Sequence, residues 1–451
     1  MEVTNDILDL VEEPRFDNSI ESYQYVTYEP ASQNNLNNRS TPIAIDINAD
    51  DKYSHPSRSY LYIKGQLVRA DNQQPYAADA EITLVNNAMM YLFSNITYEV
   101  GGKTMESINC PGQTSSIIGY LSYPDDFNSS EGLMLCWSKD TSEHACSIKY
   151  AQLADGANRR PAENPQFNQG FTTRKTILMD SNPRGSFSFI IPFSHIFGFA
   201  DYNKVLYNVK QTLKLTRCSD DRLAIHRVNG VPNGIVQLSE ISWRIPEVEV
   251  DPKTLSELTK YIVDKKSFPI HYSGRYCESL EVPVGSRQLS WRVSITSGIE
   301  KPRWIFIGFQ TDRHMTQEQN PAVFDNLNLE TCYVTLNSKQ YPMNEVKSSF
   351  TINDYARLYE MMSSFKREHY GFNNLIGGMQ INMYDFKKLF PILALDVRKQ
   401  KDKLKLGVVD MQLKFFFNEA VPANTIAYAV ILSDRLFKLQ SDGEHLKTIN
   451  Y

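Results

Sequence analysis

Residues 185–217 read GSFSFIIPFSHIFGFADYNKVLYNVKQTLKLTR, and this stretch decides the fold of the chain. Phe187 and Phe189 alternate with serines, which is the period-two pattern of a β-strand with one buried face. Pro192 lacks the N–H that a central ladder needs, so the strand must end there or lie at the edge of a sheet. The apolar residues that follow predict a connector.

The second half of the stretch returns to a strand pattern. Apolar residues from Val205 to Leu215 alternate with polar ones such as Lys214, which predicts one long half-buried strand with a bulge near Lys210. A strand, a proline-ended apolar loop and a long amphipathic strand are typical of a β-sandwich and not of a nucleotide-binding βαβ unit.

Length and composition agree with an all-β protein. All-β domains often contain about 200–250 residues, so the 451 residues fit two large sandwiches. Aromatic residues make up 12% of the chain, which favours strands over a helical bundle. The 47 basic and 52 acidic residues give a net charge of −5, so there is no general electrostatic reason to bind nucleic acid.

The six cysteines are scattered, and no CxxC pair occurs. This spacing predicts free thiols and not a disulfide framework. The N-terminal residues lack an apolar stretch after a basic start, and no window approaches 18 uncharged apolar residues. We therefore expect neither secretion by a signal peptide nor a membrane span.

The first 40 residues differ in charge from the rest. Residues 1–40 contain eight acidic and two basic residues, so this arm carries a net charge of −6 and the remainder is nearly neutral. Two interpretations stay open: a frayed polar terminus, or an arm that docks on a neighbouring subunit.

Residues 41–247 are predicted to form the first sandwich. We expect its first strand near Tyr60, a hairpin that turns at Gly101-Gly102, and a last strand over 236–243 that is closed by Pro246. A long polar insertion is predicted near 110–182, with a short helical patch at 114–120.

Residues 248–266 are predicted to be a linker with a helix over 252–263, and residues 267–451 to be the second sandwich. This second half holds strand patterns, a hairpin that turns at Asn337-Ser338 and a helix near 353–366. The predicted fold is therefore all-β, with two consecutive antiparallel sandwiches and short helices in the connections.

The chain resembles the double jelly-roll major capsid proteins of Polinton/Maverick-like elements and adintoviruses. The resemblance covers residues from about 55 to 435 and consists of turn and core motifs. The segments that carry it are residues 86–88, 92–93, Ile96, 108–115, 191–199, 213–217, 241–248, 302–310 and 333–342. The acidic first forty residues match nothing in the family.

The resemblance implies a jelly-roll topology for both sandwiches and a structural role without catalysis. It implies a homotrimer that forms a pseudo-hexameric capsomer, in contact with neighbouring capsomers and with penton or minor capsid proteins of an icosahedral virion. The alternative is a capsid-like protein of a cellular genome that acts as a binding module. An enzyme on a jelly-roll frame would need clustered histidines and carboxylates, whereas the eight histidines are dispersed.

The sequence contains no Walker loop, HExxH, GxSxG or paired-cysteine zinc motif. Three weaker groups are a His–Cys pair, a Glu–His pair and a set of tryptophans that could bind sugar: His144 with Cys146, Glu368 with His369, and Trp243, Trp291 and Trp304. We interpret them as an incidental pair, a solvated pair and core residues. The sequence thus predicts no catalytic, cofactor-binding or metal-binding residue.

One basic cluster stands out near the C-terminal end. It holds five bases and one acid, and its basic residues are Arg398, Lys399, Lys401, Lys403 and Lys405. A solvated hairpin loop is one interpretation. Contact with a packaged genome, or with the acidic arm of a neighbour, is the other.

Overall fold

The computed structural model describes residues 19–32, 36–48, 52–150, 162–293, 301–371, 379–400, 409–441 and 446–450. Most of these residues belong to antiparallel sheets, and the described helices lie in the connections between strands. The predicted all-β class with short connecting helices is confirmed.

The first half of the chain contains twelve described strands and four described α-helices. In chain order they are β1 (Ile20–Tyr28), β2 (Ile43–Ile47), β3 (Tyr53–Ser54), β4 (Tyr60–Arg69), β5 (Ile82–Leu84), α1 (Ala88–Tyr91), β6 (Phe93–Val100), β7 (Lys103–Asn109), α2 (Pro111–Ser122), α3 (Gln169–Met179), β8 (Ser186–Pro192), α4 (Phe193–Ile196), β9 (Leu206–Tyr207), β10 (Gln211–Arg217), β11 (Ile225–Arg227) and β12 (Gly234–Val250).

These strands form two main sheets of one sandwich. One sheet has the order β8-β4-β12-β3-β9, with β1 paired to β12, and the other has the order β2-β10-β6-β7. A small ladder joins β11 to β5. Apart from the β6–β7 hairpin, neighbouring strands of the two main sheets are distant in sequence, as in a jelly roll, so the core between the sheets comes from the whole first half.

The second half repeats the arrangement. Its elements are α5 (Pro252–Val263), β13 (Ser267–Val282), β14 (Gln288–Arg292), β15 (Lys301–Thr311), β16 (Leu329–Leu336), β17 (Lys339–Tyr341), α6 (Ala356–Tyr370), α7 (Met383–Lys388), β18 (Leu393–Asp396), β19 (Met411–Phe417), β20 (Thr425–Ser441) and β21 (Leu446–Asn450). The sheets have the orders β13-β20-β15-β18, with β21 on β20, and β14-β19-β16-β17.

Local turn chemistry sets both predicted hairpins. Gly101 and Gly102 have φ values of +59° and +78° between β6 and β7, and Asn337 and Ser338 have +45° and +69° between β16 and β17. Two successive positive φ values are those of a type I′ turn, whose twist matches that of the strands. Strand β8 also ends at Pro192 on the edge of its sheet, as the missing N–H requires.

The stretch from 205 to 217 is not one strand, contrary to expectation. Asn208 adopts a left-handed conformation with φ +43°, which turns the chain between β9 and β10. Strand β9 therefore pairs with β3 in one sheet, whereas β10 pairs with β2 and β6 in the other. Asparagine tolerates this backbone region better than most residues, so the break has a local cause.

The expected first strand at Tyr60 is preceded by three others, β1 to β3. Strand β1 is rich in tyrosine and β-branched residues, and it pairs with the end of β12 within the same chain. The second half of the predicted acidic arm thus joins the first sandwich, while residues 1–18 lie outside the described residues. The division of the chain at residues 40, 247 and 266 stays a prediction, although α5 has the predicted bounds.

Strand β12 does not stop at Pro246, contrary to expectation. Tyr25 of β1 lies opposite Pro246, and the Pro246 carbonyl accepts the N–H of His55 at 2.9 Å. Proline lacks an N–H but keeps its carbonyl oxygen, and the carbonyl is the group that the adjacent segment of the same chain bonds here. One strand can therefore pair with β4 in its first part and with β1 and β3 in its second.

The predicted polar insertion begins with a buried helix. All residues of α2 from Pro111 to Leu121 are buried, including its serines and threonine. No face of this helix is exposed to solvent up to Leu121, and its small hydroxyl side chains find hydrogen-bond partners inside the protein. For example, Asn87 donates to Ser115 at 2.7 Å and to Ser116 at 3.0 Å. Composition therefore suggested a polar segment where the structure has a core helix. No described helix is both long and apolar enough to cross a bilayer.

Candidate functional site

Buried polar groups of both sandwiches meet at the joint between them, and we take this joint as the candidate functional site. Strand β7 of the first sandwich lies against β13 of the second. Tyr272 on β13 donates its hydroxyl to the Met105 carbonyl at 2.7 Å, and Arg435 donates to the same oxygen at 3.0 Å. Backbone and side chains of both halves thus share hydrogen bonds.

Glu106 on β7 is the centre of the joint. Its buried carboxylate accepts the N–H groups of Arg275 at 2.6 Å, Phe199 at 2.9 Å and Gly198 at 3.2 Å. Burial raises the pKa of Glu106, while the Arg275 guanidinium and the three N–H groups act in the opposite direction. One side chain therefore bonds the backbone of β13 and of the 198–201 turn.

Arg275 completes the joint from the other side. Its guanidinium donates to the carbonyl oxygens of Ser194 and Ile196 at 2.9 Å and of His195 at 2.7 Å. These carbonyls belong to α4, whose last carbonyl groups have no partner inside so short a helix. A fixed fork of donors suits such a row of acceptors.

The apolar part of the joint is tightly packed. The ring of Phe199 lies 5.0 Å from that of Tyr98 in the first sandwich and 5.1 Å from that of Tyr272 in the second. A Cβ atom on Gly198 would lie 1.8 Å from the Ser273 carbonyl oxygen, so only glycine permits this approach. The two sandwiches are therefore held in one fixed relation.

A second set of contacts lies around α2. The hydroxyls of Tyr91 and Tyr120 donate to the carbonyls of Pro321 and Ala322 at 2.8 and 2.9 Å. The Tyr120 ring also packs 4.3 Å from that of Phe390. Helix α2 is thus a shared core element of both halves.

Sequence reasoning missed this joint. A glutamate at a position of β7 that faces inward was the available signal, but its partners are 92, 93 and 169 residues away along the chain. Without an alignment, nothing in the sequence pairs Glu106 with Arg275.

The predicted minor candidates do not form sites among the described residues. His144 is exposed, and the Cys146 sulfur accepts from the Asn164 amide at 3.3 Å. Glu368 binds Arg398 at 3.1 Å, whereas the His369 ring stacks on Phe365. Within the described ranges, no three histidine, cysteine or acidic side chains are placed to hold a metal ion.

The three tryptophans are core residues, as predicted. Trp243 and Trp304 are fully buried and Trp291 is 3% exposed. The indole N–H of Trp243 donates to the Ser59 hydroxyl at 3.0 Å, and Arg398 covers the Trp304 ring at 4.9 Å. None of the three rings is free to form a flat sugar-binding surface.

The basic cluster is only partly described. Arg398 pairs with Asp396 at 2.8 Å and with Glu368 at 3.1 Å, so two carboxylates compensate its charge. Lys399 is exposed, and Lys401, Lys403 and Lys405 lie outside the described residues.

The outer face of the first sandwich carries exposed apolar side chains. Ile20, Tyr23 and Tyr25 on β1 are 49%, 43% and 50% exposed. Strand β1 pairs with β12, and no other described strand is hydrogen-bonded to it. Exposed aromatic residues on such a strand form a surface suited to contact with another chain.

Comparisons with known proteins agree with this architecture. Residues 169–437 match the family model of the double jelly roll-like domain. No curated protein sequence matches the chain.

Three solved structures illustrate the fold. A chain in the cryo-EM structure of the Sputnik virophage matches with a TM-score of 0.60 and 12% identity, over 100% of this chain and 93% of that one. The mavirus major capsid protein gives 0.51 and 12%, over 98% and 93%. The Faustovirus major capsid protein gives 0.52 and 8%, over 96% and 92%.

These matches extend over both sandwiches, and the family model covers more than half of the chain. The architecture expected from the sequence is confirmed. The chain therefore belongs to the double jelly roll-like domain family.

Proposed function

We propose that this protein is a viral major capsid protein of the Polinton/Maverick and virophage group. Three copies form a capsomer with six jelly rolls, and the capsomers build an icosahedral shell. The observation that carries the proposal is the fixed pair of sandwiches in one chain, in the arrangement found along nearly the whole length of two viral major capsid proteins. The role is structural and involves no catalysis.

The joint supports a role for one chain as two lobes of a near-hexagonal ring. Glu106, Arg275 and the Gly198 contact fix the two sandwiches relative to each other. A rigid two-lobed subunit needs only one kind of threefold contact to close a six-lobed ring, because closed symmetric rings use the same interface repeatedly.

Further contacts follow from a place in a shell. Neighbouring capsomers and penton or minor capsid proteins are the expected partners, and the virion is the expected location. The exposed side chains of β1 support contact with another chain. If the basic cluster contacts the genome, the contact falls on its four lysines, because carboxylates already pair with Arg398.

The mass of the purified protein in solution tests the proposal. Light scattering should give three times 51.7 kDa, and negative-stain microscopy of the same fraction should show hexagonal outlines or closed shells. The trimer should persist when the protein is diluted, because obligate interfaces bury more than about 2,000 Å². A monomer at high concentration would contradict the proposal and favour a cellular binding module with the same fold.

A further inference from the structure

Helix α5, which connects the two sandwiches, has an apolar side that the described residues leave exposed. Among its described side chains, Thr254 and Leu258 are half-buried and the others are exposed. Leu255, Tyr261 and Val263 are 40%, 43% and 64% exposed. A helix of 12 residues is marginal in water by itself, and most helices in proteins gain their stability by packing an apolar face. A further element is therefore expected to cover this side of α5.

The exposed side of α5 forms a shallow groove with a volume of about 440 Å³. Its lining recurs every three or four positions along one side of the helix and includes Pro252, Leu255, Thr259 and Val263. Residues 252–266 hold four lysines, all exposed, and two acidic residues, so the helix and its last turn carry a net charge of +2. The groove is thus apolar in the middle and basic around it.

Caps at both ends hold α5 in place. The Asp251 carboxylate accepts the N–H of Thr254 at 2.8 Å, which closes the first turn. At the other end Lys265 has a left-handed φ of +52°, and the N–H of Lys266 donates to the Tyr261 carbonyl at 3.0 Å. The groove therefore belongs to a helix with defined ends and not to a single fraying turn.

The described chain begins directly beside α5. The Ser19 carbonyl accepts the N–H of Asp251, immediately before the helix, at 3.1 Å. Residues 1–18, called the acidic segment below, precede Ser19 and contain six acidic residues and one basic residue. Their net charge of −5 is opposite in sign to that of residues 252–266. The acidic segment is thus tethered next to the groove and complements its charge.

The sequence of the acidic segment also supplies an apolar face. Ile7, Leu8 and Val11 recur at helical spacing before Pro14, which predicts a short amphipathic helix. Residues 14–18 span at most about 17 Å when extended, and α5 is about 18 Å long, so this helix can reach the groove. It runs antiparallel to α5, because the tether joins its C-terminal end to the N-terminal end of α5.

We propose that the acidic segment docks in the α5 groove of its own chain. Its apolar face covers the exposed Leu255 and Val263, and its carboxylates lie near the lysines of α5. A short tether gives a local concentration of the order of millimolar, so a weak contact suffices to keep the segment docked. The contact goes beyond the proposed capsid role and does not depend on it, because both partners belong to one chain.

Crosslinking of the full-length protein with a carbodiimide tests the proposal, because this reagent joins a carboxylate to a lysine that it touches. Peptide mass spectrometry should find the acidic segment linked to lysines of residues 252–266, in a gel band with the mass of one chain. About 1 M salt should reduce the yield, since the screening length falls to about 3 Å. The proposal is overturned if no link to α5 forms, or if the links occur only in bands of two or more chains.

Variants of both partners give a second measurement. Leu8→Ser and Val263→Ser each remove part of the apolar contact and should lower the yield of links at least about threefold. Amide hydrogen exchange in α5 should accelerate by a similar factor, because a docked helix opens less often. The matched control Ile352→Ser changes a side chain that is 75% exposed and should alter neither readout. Circular dichroism checks the fold of each variant, and unchanged yield and exchange in Leu8→Ser would overturn the proposal.

Discussion

Arg275 should be a main energetic contributor to the joint. Its guanidinium makes three hydrogen bonds to the carbonyls of residues 194, 195 and 196, at 2.7 to 2.9 Å. A net hydrogen bond contributes about 1 kcal/mol, and Arg275 is only half-buried, so we take that value and not the larger one for charged donors. The variant Arg275→Met keeps much of the apolar stem and should lose about 3 kcal/mol of unfolding free energy.

The assay is thermal and urea unfolding followed by circular dichroism. For a unit of about 200 residues, 1 kcal/mol shifts the midpoint by about 2–4 °C, so the variant should unfold about 6–12 °C earlier. Arg275→Lys should lose about half as much, because an ammonium group cannot reach all three carbonyls in the geometry of a guanidinium. Proteolysis within α5 should accelerate in Arg275→Met, since a loosened joint exposes the connection.

A matched control is Arg292→Met. Arg292 pairs with Asp410 on the surface, where the two side chains are 74% and 58% exposed, so its loss should cost less than about 0.5 kcal/mol. Equal stability of Arg275→Met and wild type would refute the reasoning, as would equal destabilisation by the two variants.

Two other predictions concern buried charge. Asp140 pairs with Arg174 at 2.6 Å where both side chains are at most 2% exposed, so Asp140→Ala should cost about 3–5 kcal/mol in urea unfolding, while exposed Asp71→Ala should change little. Burial lowers the pKa of His195 from 6.5 to about 3 and that of His226 to about 4. Below pH 6.5 the unfolded chain binds protons that the folded chain does not, so stability that is present at neutral pH is lost as the pH falls. The loss is about 1.4 kcal/mol per pH unit for each histidine, down to the pKa of that histidine in the folded chain. In urea unfolding between pH 7 and 4, the unfolding free energy of His195→Gln should fall less steeply with pH than that of the wild type, by about 1.4 kcal/mol per pH unit, and an equally steep fall would contradict the assignment.

Local chemistry is what the sequence by itself determined. The Gly101-Gly102 and Asn337-Ser338 turns, the strand end at Pro192 and helix α5 depend on neighbouring residues, because φ preferences and missing N–H groups act within a few positions. The alternation of apolar and polar residues gave the strands and the sandwich class. These signals suffice for two sandwiches in one chain.

Only the tertiary structure decided how distant segments meet. Strands β9 and β10 pair with strands of different sheets, and β12 continues through Pro246 because β1 and β3 pair with its second part. Glu106 meets a partner 169 residues away. A single sequence holds no record of such pairings, since the energy of a buried carboxylate depends on donors that only the folded chain brings within about 3 Å.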